Sequence, residues 1–389
     1  MGLESITFSF FLIFTGAAIL ASLALYTRQP LLVAYIVLGA LLGPSGFAFI
    51  NNTDLLSDIS HIGIIFLLFL LGLDMQPSNL YHMLKKATFV ALISSAIFAL
   101  IGYGIAIIFG FSHPESLVIG IAMMFSSTLI GIKLLPTTVL HHRHTGELVV
   151  GLLLLQDLIA IFVLLVLYTN ETGDASFKSY ATTILALPLL IFLAIVFVRL
   201  ILLRLIQKFD RFQEYIFLVA IGWCLGLSEA AQLMGLSSEI GAFIAGVTVA
   251  TSPIAQFIAI SLKPLRDFFL ILFFFSIGAS FKLALLDEVL VPALILTTLM
   301  LTLKPTVFRL LLTRISETKD LAWEIGFRLG QISEFSLLIA YIATGIHMIG
   351  EEASHLIQAT AILSFLFSSY LVVLRYPTPI AVSDKLRRD

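Results

Sequence analysis

The dipeptide Gln156-Asp157 is the part of this sequence whose residue types could do chemistry in an apolar environment. It lies in the apolar run 149–163, which with its flanks is long enough to cross a bilayer and places Asp157 near the middle. A lone carboxylate at that depth costs at least ~2.5–3.5 kcal/mol on insertion scales, so it usually serves ion or proton movement. Gln156 cannot titrate and can offer a cation only its amide oxygen.

Polar side chains also occupy the middle of two further apolar segments, 116–135 and 321–347. Hydroxyl and amide groups at this depth must be satisfied by protein, and unwound backbone survives there only where it is buried or lines a watery cavity. We therefore expect two broken helices whose ends help to position an ion, although the hydroxyls could instead bond only their own helices. The candidate residues are Ser126, Ser127, Thr128, Gln331, Ser333 and Glu334.

Two basic residues also fall inside apolar segments, and both could compensate buried charge. Lys304 has three open roles: a counter-ion to Asp157 or Glu334, a proton carrier, or a side chain that snorkels to the interface. Arg328 lies about a turn and a half before Glu334, where it could make a structural ion pair or take a direct part in the cation site.

Composition identifies the class of protein. The chain has 389 residues, of which 59% are hydrophobic and 12% are charged, and its mean hydropathy is +1.07. A soluble domain of this length could not bury that much apolar surface, which predicts a polytopic all-α membrane protein. The single cysteine, Cys224, excludes a disulfide framework. No phosphate loop, nucleophile triad or metal-ligand spacing is present, so neither an enzyme, a cofactor nor a nucleic-acid partner is predicted.

Hydropathy predicts thirteen transmembrane helices, and the charges between them predict their orientation. The predicted spans are 5–26, 30–45, 58–73, 86–110, 116–135, 146–169, 179–206, 211–230, 236–251, 263–282, 288–313, 321–347 and 353–375. On this count 18 of the 22 Lys and Arg residues fall on one side and only Lys178 and Lys282 on the other. The positive-inside rule then places the N-terminus outside the cell membrane and the C-terminus in the cytoplasm. The N-terminus lacks the positive region of a signal peptide, so the first span should be retained.

The predicted spans also contain an internal repeat. The second span resembles the ninth around Gly39 and Gly246, and the third resembles the tenth around Gly72 and Gly278, both at an offset of about 205 residues. The partners are seven spans apart, an odd number, so the two copies must be inverted. Inverted repeats with discontinuous helices near the midplane are typical of secondary transporters.

Together these motifs resemble the monovalent cation:proton antiporter superfamily, in particular its Kef-type potassium efflux branch, over essentially the whole chain. The motifs that carry the resemblance are Gly39…Gly43-Pro44, Gly72-Leu73-Asp74, Ser126-Ser127-Thr128, Gln156-Asp157, Leu227-Ser228-Glu229, Gly241-Ala242-Phe243…Gly246 and Gly330-Gln331…Glu334-Phe335. Gln156-Asp157 is the most discriminating, because sodium-exchanging relatives usually carry Asp-Asp or Asn-Asp there.

The resemblance implies a sodium/proton antiporter-like fold, a homodimer and an elevator-type motion of a mobile core. Spans five and twelve would cross as the two broken helices. The implied parts of the transmembrane domain 1–375 are a dimerisation part at about 1–82 and 211–282, a linker helix at 179–206, and a core at about 86–169 and 288–375, followed by a cytoplasmic tail at 376–389.

The chain departs from the family pattern in two places. Full-length Kef proteins carry a further cytoplasmic nucleotide-binding regulatory domain, whereas this sequence ends in a short polar tail, so such a domain or subunit is a possible absent partner and its gating is not carried over. Many relatives have Gly-Gln-Gly-Gly before the glutamate of span twelve, but this chain has Gly330-Gln331-Ile332-Ser333. In related antiporters a lysine at position 304 pairs with the first carboxylate of Asp-Asp, which is Gln156 here.

The leading hypothesis is K⁺/H⁺ exchange at Asp157. Burial raises the pKa of a carboxyl group toward the range where protons compete with cations at physiological pH, so one site can hold a monovalent cation or a proton. One titrating carboxylate favours one-for-one exchange. The alternatives are Na⁺/H⁺ exchange by the same fold, a gated K⁺ channel, which would need a filter sequence that is absent, and a membrane-embedded sensor or scaffold. His141, His142 and His144 could form a pH sensor, a weak metal site or a plain solvated loop.

Overall fold

The computed structural model of the chain describes residues 6–27, 29, 31–50, 53–74, 77–133, 144–171, 177–209, 211–236 and 238–378, and its architecture is helical. We number the helices in chain order. They are α1 Ile6–Tyr26, α2 Leu31–Leu42, α3 Thr53–Asp74, α4 Pro77–Ile108, α5 His113–Met124, α6 Thr128–Lys133, α7 His144–Glu171, α8 Phe177–Phe197, α9 Leu203–Lys208, α10 Gln213–Leu233, α11 Ser238–Ala250, α12 Ile254–Ser280, α13 Leu286–Arg314, α14 Lys319–Arg328, α15 Glu334–Gly345 and α16 Glu351–Arg375. A π-helical turn, Val198–Leu202, joins α8 to α9.

The helices confirm an all-α polytopic membrane protein. Within the described residues, seven helices are long and apolar enough to cross a membrane, and three shorter apolar helices accompany them. Each of the thirteen predicted segments coincides with a helix or, in three cases, with two consecutive helices. Since the structure contains no bilayer, the count of thirteen crossings stays a prediction.

The two segments with polar residues at mid-depth are interrupted. In the first, α5 ends at Met124 and α6 begins at Thr128, with Phe125 in an extended conformation (φ −86°, ψ 150°). In the second, α14 ends at Arg328 and α15 begins at Glu334, one residue after an extended Ser333 (φ −95°, ψ 155°). We call 125–127 the first break and 329–333 the second break.

The chain divides into two compact units. Unit one comprises residues 1–51, 82–160 and 277–389, and unit two comprises 52–81 and 161–276. The predicted dimerisation, linker and core parts are a different division, chiefly because the first two helices group with the core segments here. The predicted division into dimerisation, linker and core parts concerns dimerisation and motion, and it stays a prediction.

Unit two is centred on the crossing of α3 and α11, where glycines let the two backbones touch. A Cβ added at Gly246 would clash with the carbonyl oxygen of Phe69, and one added at Gly72 would clash with that of Phe243. The hydrophobic effect does not drive helix association in lipid. Small residues at such crossings instead let the helices associate through close van der Waals contact. Trp223 also contacts α11 within this unit. Its ring stacks on Phe197 with centroids 5.0 Å apart, and its indole N–H donates to the Ala245 carbonyl at 3.1 Å.

Unit one contains the same kind of crossing between α2 and the end of α12. A Cβ at Gly278 would clash with the carbonyl oxygen of Ile36. In the rest of this unit, α13 packs against α14 and α16, while α15 packs against α16 and α5. Gly326 brings α14 onto the backbone of α13 at Pro305. These contacts bring both breaks next to the middle of α13.

The backbone contact at Gly246 generates a stability prediction. Gly246→Leu should lower the free energy of unfolding by about 1–3 kcal/mol or more, because the added side chain meets main-chain atoms that cannot move aside. The melting temperature of the purified protein in detergent measures this. Gly226→Leu is the control, because a Cβ at Gly226 meets nothing within 4 Å. Equal melting temperatures for the two variants would contradict the prediction.

Candidate functional site

Asp157 lies on α7 with 1% of its surface exposed. The hydroxyl of Thr128, the first residue of α6, donates to its carboxyl oxygens at 3.1 Å (Oδ2) and 3.3 Å (Oδ1). None of the ion pairs within 4.0 Å among the described residues includes Asp157. The predicted titrating carboxylate is therefore buried beside the first break with a hydroxyl as its neighbour and no cation in contact.

Gln156 is fully buried and holds the first break in place. Its Oε1 accepts a hydrogen bond from the Ser126 backbone N–H at 3.0 Å, and its Nε2 donates to the Met124 carbonyl at 3.4 Å. Both partners are backbone groups that a broken helix leaves without their usual acceptors and donors. The amide thus supports the unwound backbone, while its role as a cation ligand stays a prediction.

The two serines of the first break also satisfy backbone groups. Ser126 donates its hydroxyl to the carbonyl of Leu329, the residue that follows α14, at 2.8 Å. Ser127 caps the N-terminus of α6, since its Oγ accepts the Ile130 N–H at 3.1 Å. The alternative that these hydroxyls bond only their own helices is therefore wrong for Ser126, which joins the two breaks.

The second break is satisfied in a similar way. Ser333 caps α15 by accepting the Phe335 N–H at 3.1 Å. Gln331 donates its Nε2 to the Ser127 carbonyl at 3.3 Å, and its Oε1 accepts the Ser368 hydroxyl of α16 at 3.0 Å. The structure thus brings the candidate residues of both segments together around one centre.

Lys304 on α13 is fully buried and joins the two breaks. Its ammonium group donates to the Phe125 carbonyl at 2.6 Å and to the Gln331 carbonyl at 3.2 Å, and it lies 5.3 Å from the ring centroid of Phe98. One carbonyl comes from each break. Hydrogen bonds from an ionised donor are stronger than neutral ones, which suits a cation that replaces missing helical bonds.

These contacts exclude one of the three roles predicted for Lys304 and restrict another. The snorkelling role is wrong, because the side chain ends on buried carbonyls rather than at an interface. Among the described residues Lys304 itself makes no ion pair within 4.0 Å, so any compensation of the Asp157 or Glu334 charge by Lys304 acts over a longer distance. The proton-carrier role is untested and stays a prediction.

Arg328 is buried at the end of α14, and its guanidinium group contacts Glu324 one turn earlier. The Nε and a terminal nitrogen reach the same Glu324 oxygen at 3.0 and 2.8 Å, and that nitrogen also donates to the Pro377 carbonyl at 2.9 Å. A structural ion pair is thus present, and it faces the end of the chain rather than Asp157. Glu334, the first residue of α15, is 4% exposed and near enough to repel the charge of Asp157.

Supporting residues on α16 also belong to the site, although they are not among the predicted site residues. Ser364 accepts the Ile332 N–H of the second break at 3.0 Å, and Ser368 binds Gln331. Both belong to a buried polar stripe, together with Thr360, at intervals of four residues. That spacing puts the three hydroxyls on one helix face, and it is the sequence pattern that indicates a polar contact surface on α16.

The predicted histidine cluster is only partly visible. His141 and His142 lie outside the described residues. His144, at the start of α7, contacts Glu317 with a distance of 3.0 Å between Nε2 and Oε1. This contact does not distinguish a pH sensor from a solvated loop.

The site can thus carry one exchangeable positive charge. Asp157 and the Thr128 hydroxyl offer oxygen atoms, which suit a hard monovalent cation, and the same carboxylate can take a proton instead. The surrounding polar groups are mostly engaged with backbone, so they can hold the two breaks open without competing for the ion.

Comparisons with known proteins identify the family of the chain. Residues 10–373 match the family model described as the transmembrane sodium/hydrogen exchanger. The chain is 28% identical over 352 residues to the iron transporter MagA of Paramagnetospirillum magneticum (strain ATCC 700264 / AMB-1), covering 88% of this chain and 79% of that protein. It is also 28% identical over 350 residues to K(+) efflux antiporter 4 of Arabidopsis thaliana, with 88% of this chain but only 59% of that protein covered.

The fold has a solved counterpart. The chain resembles the structure of the sodium proton antiporter MjNhaP1 from Methanocaldococcus jannaschii with a TM-score of 0.69 at 18% identity, covering 92% of this chain and 94% of the other. At this identity the likeness shows the fold alone. The family match covers nearly the whole chain, and the relatives are transporters rather than enzymes. The chain therefore belongs to the transmembrane sodium/hydrogen exchanger family, within the monovalent cation:proton antiporter superfamily and with Kef-type K⁺ efflux antiporters among its relatives.

Proposed function

We propose that this chain exchanges K⁺ for H⁺ across the membrane, with Asp157 binding the cation or the proton in competition. One observation carries the proposal: a fully buried carboxylate, which has no ion-pair partner within 4.0 Å among the residues that the structure describes, lies beside the first of two helix breaks that are held open by other groups. A site of this kind is neutral with either ligand and charged when empty. The empty ionised form is penalised by burial, which couples the two fluxes.

The charges around the site favour one-for-one exchange. Lys304 and Glu334 carry opposite formal charges near Asp157, so together they add no net charge. Arg328 is balanced by Glu324. Among the described residues of the site, Asp157 is then the formal charge that a bound cation or proton has to neutralise, which fits the predicted electroneutral stoichiometry.

The choice of K⁺ over Na⁺ depends on Gln156 and on the relatives. Sodium-exchanging relatives usually carry Asp-Asp or Asn-Asp at this position. The neutral amide of Gln156 gives a weaker field than a second carboxylate, which suits the larger K⁺ ion. The K(+) efflux antiporters among the relatives support the same choice. Na⁺/H⁺ exchange is the alternative, favoured by the fold of a sodium proton antiporter. The iron transporter among the relatives gives less support to iron as the transported ion. Iron sites commonly use several carboxylate, imidazole or thiolate ligands.

The proposed mechanism is an elevator-type movement of the core in a fold of two inverted repeats and thirteen spans. The glycine contacts support the repeat. Under the predicted pairing, α3 corresponds to α12 and α11 corresponds to α2, so the Gly72 contact with α11 corresponds to the Gly278 contact with α2. The two breaks are likewise repeat partners. The earlier division into a dimerisation part, a linker helix and a mobile core belongs to this proposal.

The proposal also includes the predicted surroundings of the protein. Charge bias supports a cell-membrane protein with its N-terminus outside and its C-terminus in the cytoplasm. The family resemblance supports a homodimer. The chain spans 59% of K(+) efflux antiporter 4, so a regulatory domain or subunit beyond this sequence is a further proposed partner.

Replacement of the titrating carboxylate tests the central claim. Asp157→Asn should abolish cation/proton exchange in liposomes that contain an internal pH dye, because the amide can take neither a proton nor the charge of a cation. The assay is run with K⁺, Na⁺, Rb⁺ and Li⁺. Asp287→Asn is the matched control, since Asp287 is exposed in the first turn of α13 and should leave exchange unchanged. Exchange by Asp157→Asn at the wild-type rate would refute the proposal.

Substitution of the neighbouring amide tests selectivity. Gln156→Asp should shift the ion preference from K⁺ toward Na⁺ by about tenfold, because a second carboxylate strengthens the field on the smaller ion. It should also slow exchange, since the donor to Met124 is lost. Competition between the two cations in the same liposome assay measures the shift. An unchanged preference would remove Gln156 as a determinant of selectivity.

Two substitutions separate a structural from a proton-carrying role of Lys304. Lys304→Met should lower the free energy of unfolding by about 2–6 kcal/mol, because two buried carbonyls lose their donor at about 1–3 kcal/mol each. Lys263→Met, at an exposed lysine, is the control for the loss of charge. Lys304→Arg keeps a permanent cation and should retain exchange if the lysine is structural. Stable Lys304→Arg protein without exchange would instead identify Lys304 as a proton carrier.

A further inference from the structure

A groove of about 620 Å³ lies in unit one between α13, α14 and α16. This volume is within the range of ~300–1,000 Å³ that is typical of ligand pockets. The groove opens sideways, since Phe367 and Leu374 on its α16 wall are 48% and 63% exposed. In a membrane protein, an opening of this kind between apolar helices faces the lipid.

Every hydroxyl group that lines the groove is already engaged in a hydrogen bond within the protein. Four of its lining residues carry a hydroxyl, and each donates to a backbone carbonyl. The donors and their distances are Thr297 to Thr360 at 3.3 Å, Thr298 to Leu294 at 2.8 Å, Thr302 to Thr298 at 2.8 Å and Tyr370 to Thr27 at 3.2 Å. The groove therefore presents methyl groups, leucine side chains and aromatic rings to an occupant, which suits a hydrocarbon chain.

The length of the groove matches one leaflet of a bilayer. Its wall on α13 runs from Leu294 to Pro305, and eleven helical steps of 1.5 Å give about 16 Å. The hydrocarbon core of a bilayer is ~30 Å thick, so half of it is about 15 Å. One acyl chain lying along α13 would fill this length.

One end of the groove is positively charged. Trp323 and Phe327, which line that end on α14, stack with ring centroids 5.5 Å apart. The guanidinium carbon of Arg309 lies 4.8 Å from the Trp323 ring, and that of Arg375 lies 5.2 Å from the Phe327 ring. Neither arginine is in an ion pair within 4.0 Å among the described residues. The nearby carboxylate of Glu324 is already paired with Arg328.

We propose that this groove is a binding site for one anionic glycerophospholipid. Its acyl chain would lie along α13, and its phosphate would lie between Arg309 and Arg375 at the end of the groove. Guanidinium groups bind phosphate oxygens in a bidentate manner, and basic pockets between membrane helices on the cytoplasmic side favour anionic headgroups. A zwitterionic lipid brings a cationic headgroup amine along with its phosphate and so leaves the full charge of the two guanidinium groups, whereas a singly anionic lipid neutralises one of them. The net negative charge of the lipid is therefore the selective feature.

The site adjoins the supports of the two breaks. Pro305 of the groove follows Lys304, and Phe327 precedes Arg328. A bound lipid would therefore tighten the packing of α14 against α13 at Gly326. This inference does not depend on which ion is exchanged, since it concerns lipid binding and stability.

Tryptophan quenching tests the proposal in vesicles. The chain has two tryptophans, so Trp223→Phe leaves Trp323 as the sole fluorophore at the end of the groove. The protein is reconstituted in phosphatidylcholine with increasing fractions of phosphatidylglycerol or phosphatidylcholine that is brominated on its acyl chains. Brominated phosphatidylglycerol should quench at a lower mole fraction, with a preference of about 10–30-fold from two arginines. Arg309→Gln combined with Arg375→Gln should abolish the preference.

Two controls keep the result interpretable. Arg314→Gln removes an exposed arginine at the end of α13, outside the groove lining, and should keep the preference. Native mass spectrometry of the wild-type chain, which needs no tryptophan substitution, should retain one phosphatidylglycerol per chain, and the double arginine variant should lose it. Equal quenching by both lipids, or a preference that survives the double substitution, would overturn the proposal.

Discussion

The contact on which the site depends is the ammonium group of Lys304 between two backbone carbonyls. Phe125 and Gln331 contribute one carbonyl each, from breaks in two different helices. In the hydrocarbon region a bare carbonyl has no water to bond, and each one left unsatisfied costs several kcal/mol. One buried cation thus lets two helices unwind at the same point. Its own burial is tolerated because it is fully engaged with these acceptors and with the Phe98 ring.

A division of labour follows from this arrangement. Most polar groups around the breaks bond backbone groups. Gln156 bonds the backbone of the first break, and Gln331, which belongs to the second break, donates to a carbonyl of the first. Asp157 is different, because its described neighbour is the hydroxyl of Thr128, a group that can turn between donor and acceptor. The carboxylate is thereby left available to a mobile ligand, while the surrounding structure is held by amide and hydroxyl groups, which do not titrate, and by Lys304.

The sequence predicts the elements of the site better than their contacts. The two breaks follow from polar residues at mid-depth, because hydrocarbon forces such residues into protein contacts. The partners of Lys304 were not predictable, since they are main-chain carbonyls and any residue type supplies one. The Ser368 contact with Gln331 joins residues 37 positions apart and needs the packing of α16 to be known. For Arg328, residue spacing indicated Glu334 as the nearest feature, but helix geometry favoured Glu324 at i−4.

The separation of the joined residues along the chain has a consequence for biosynthesis. Ser126 and Leu329 are 203 positions apart, and Lys304 lies 179 positions after Phe125. At about 5–20 residues per second, a ribosome needs roughly 10–40 s to make the second break after the first. During that interval the Phe125 carbonyl of the first break lacks its Lys304 donor. Segment 116–135 must therefore enter the membrane as an unbroken helix or remain shielded by the insertion machinery until its partner arrives.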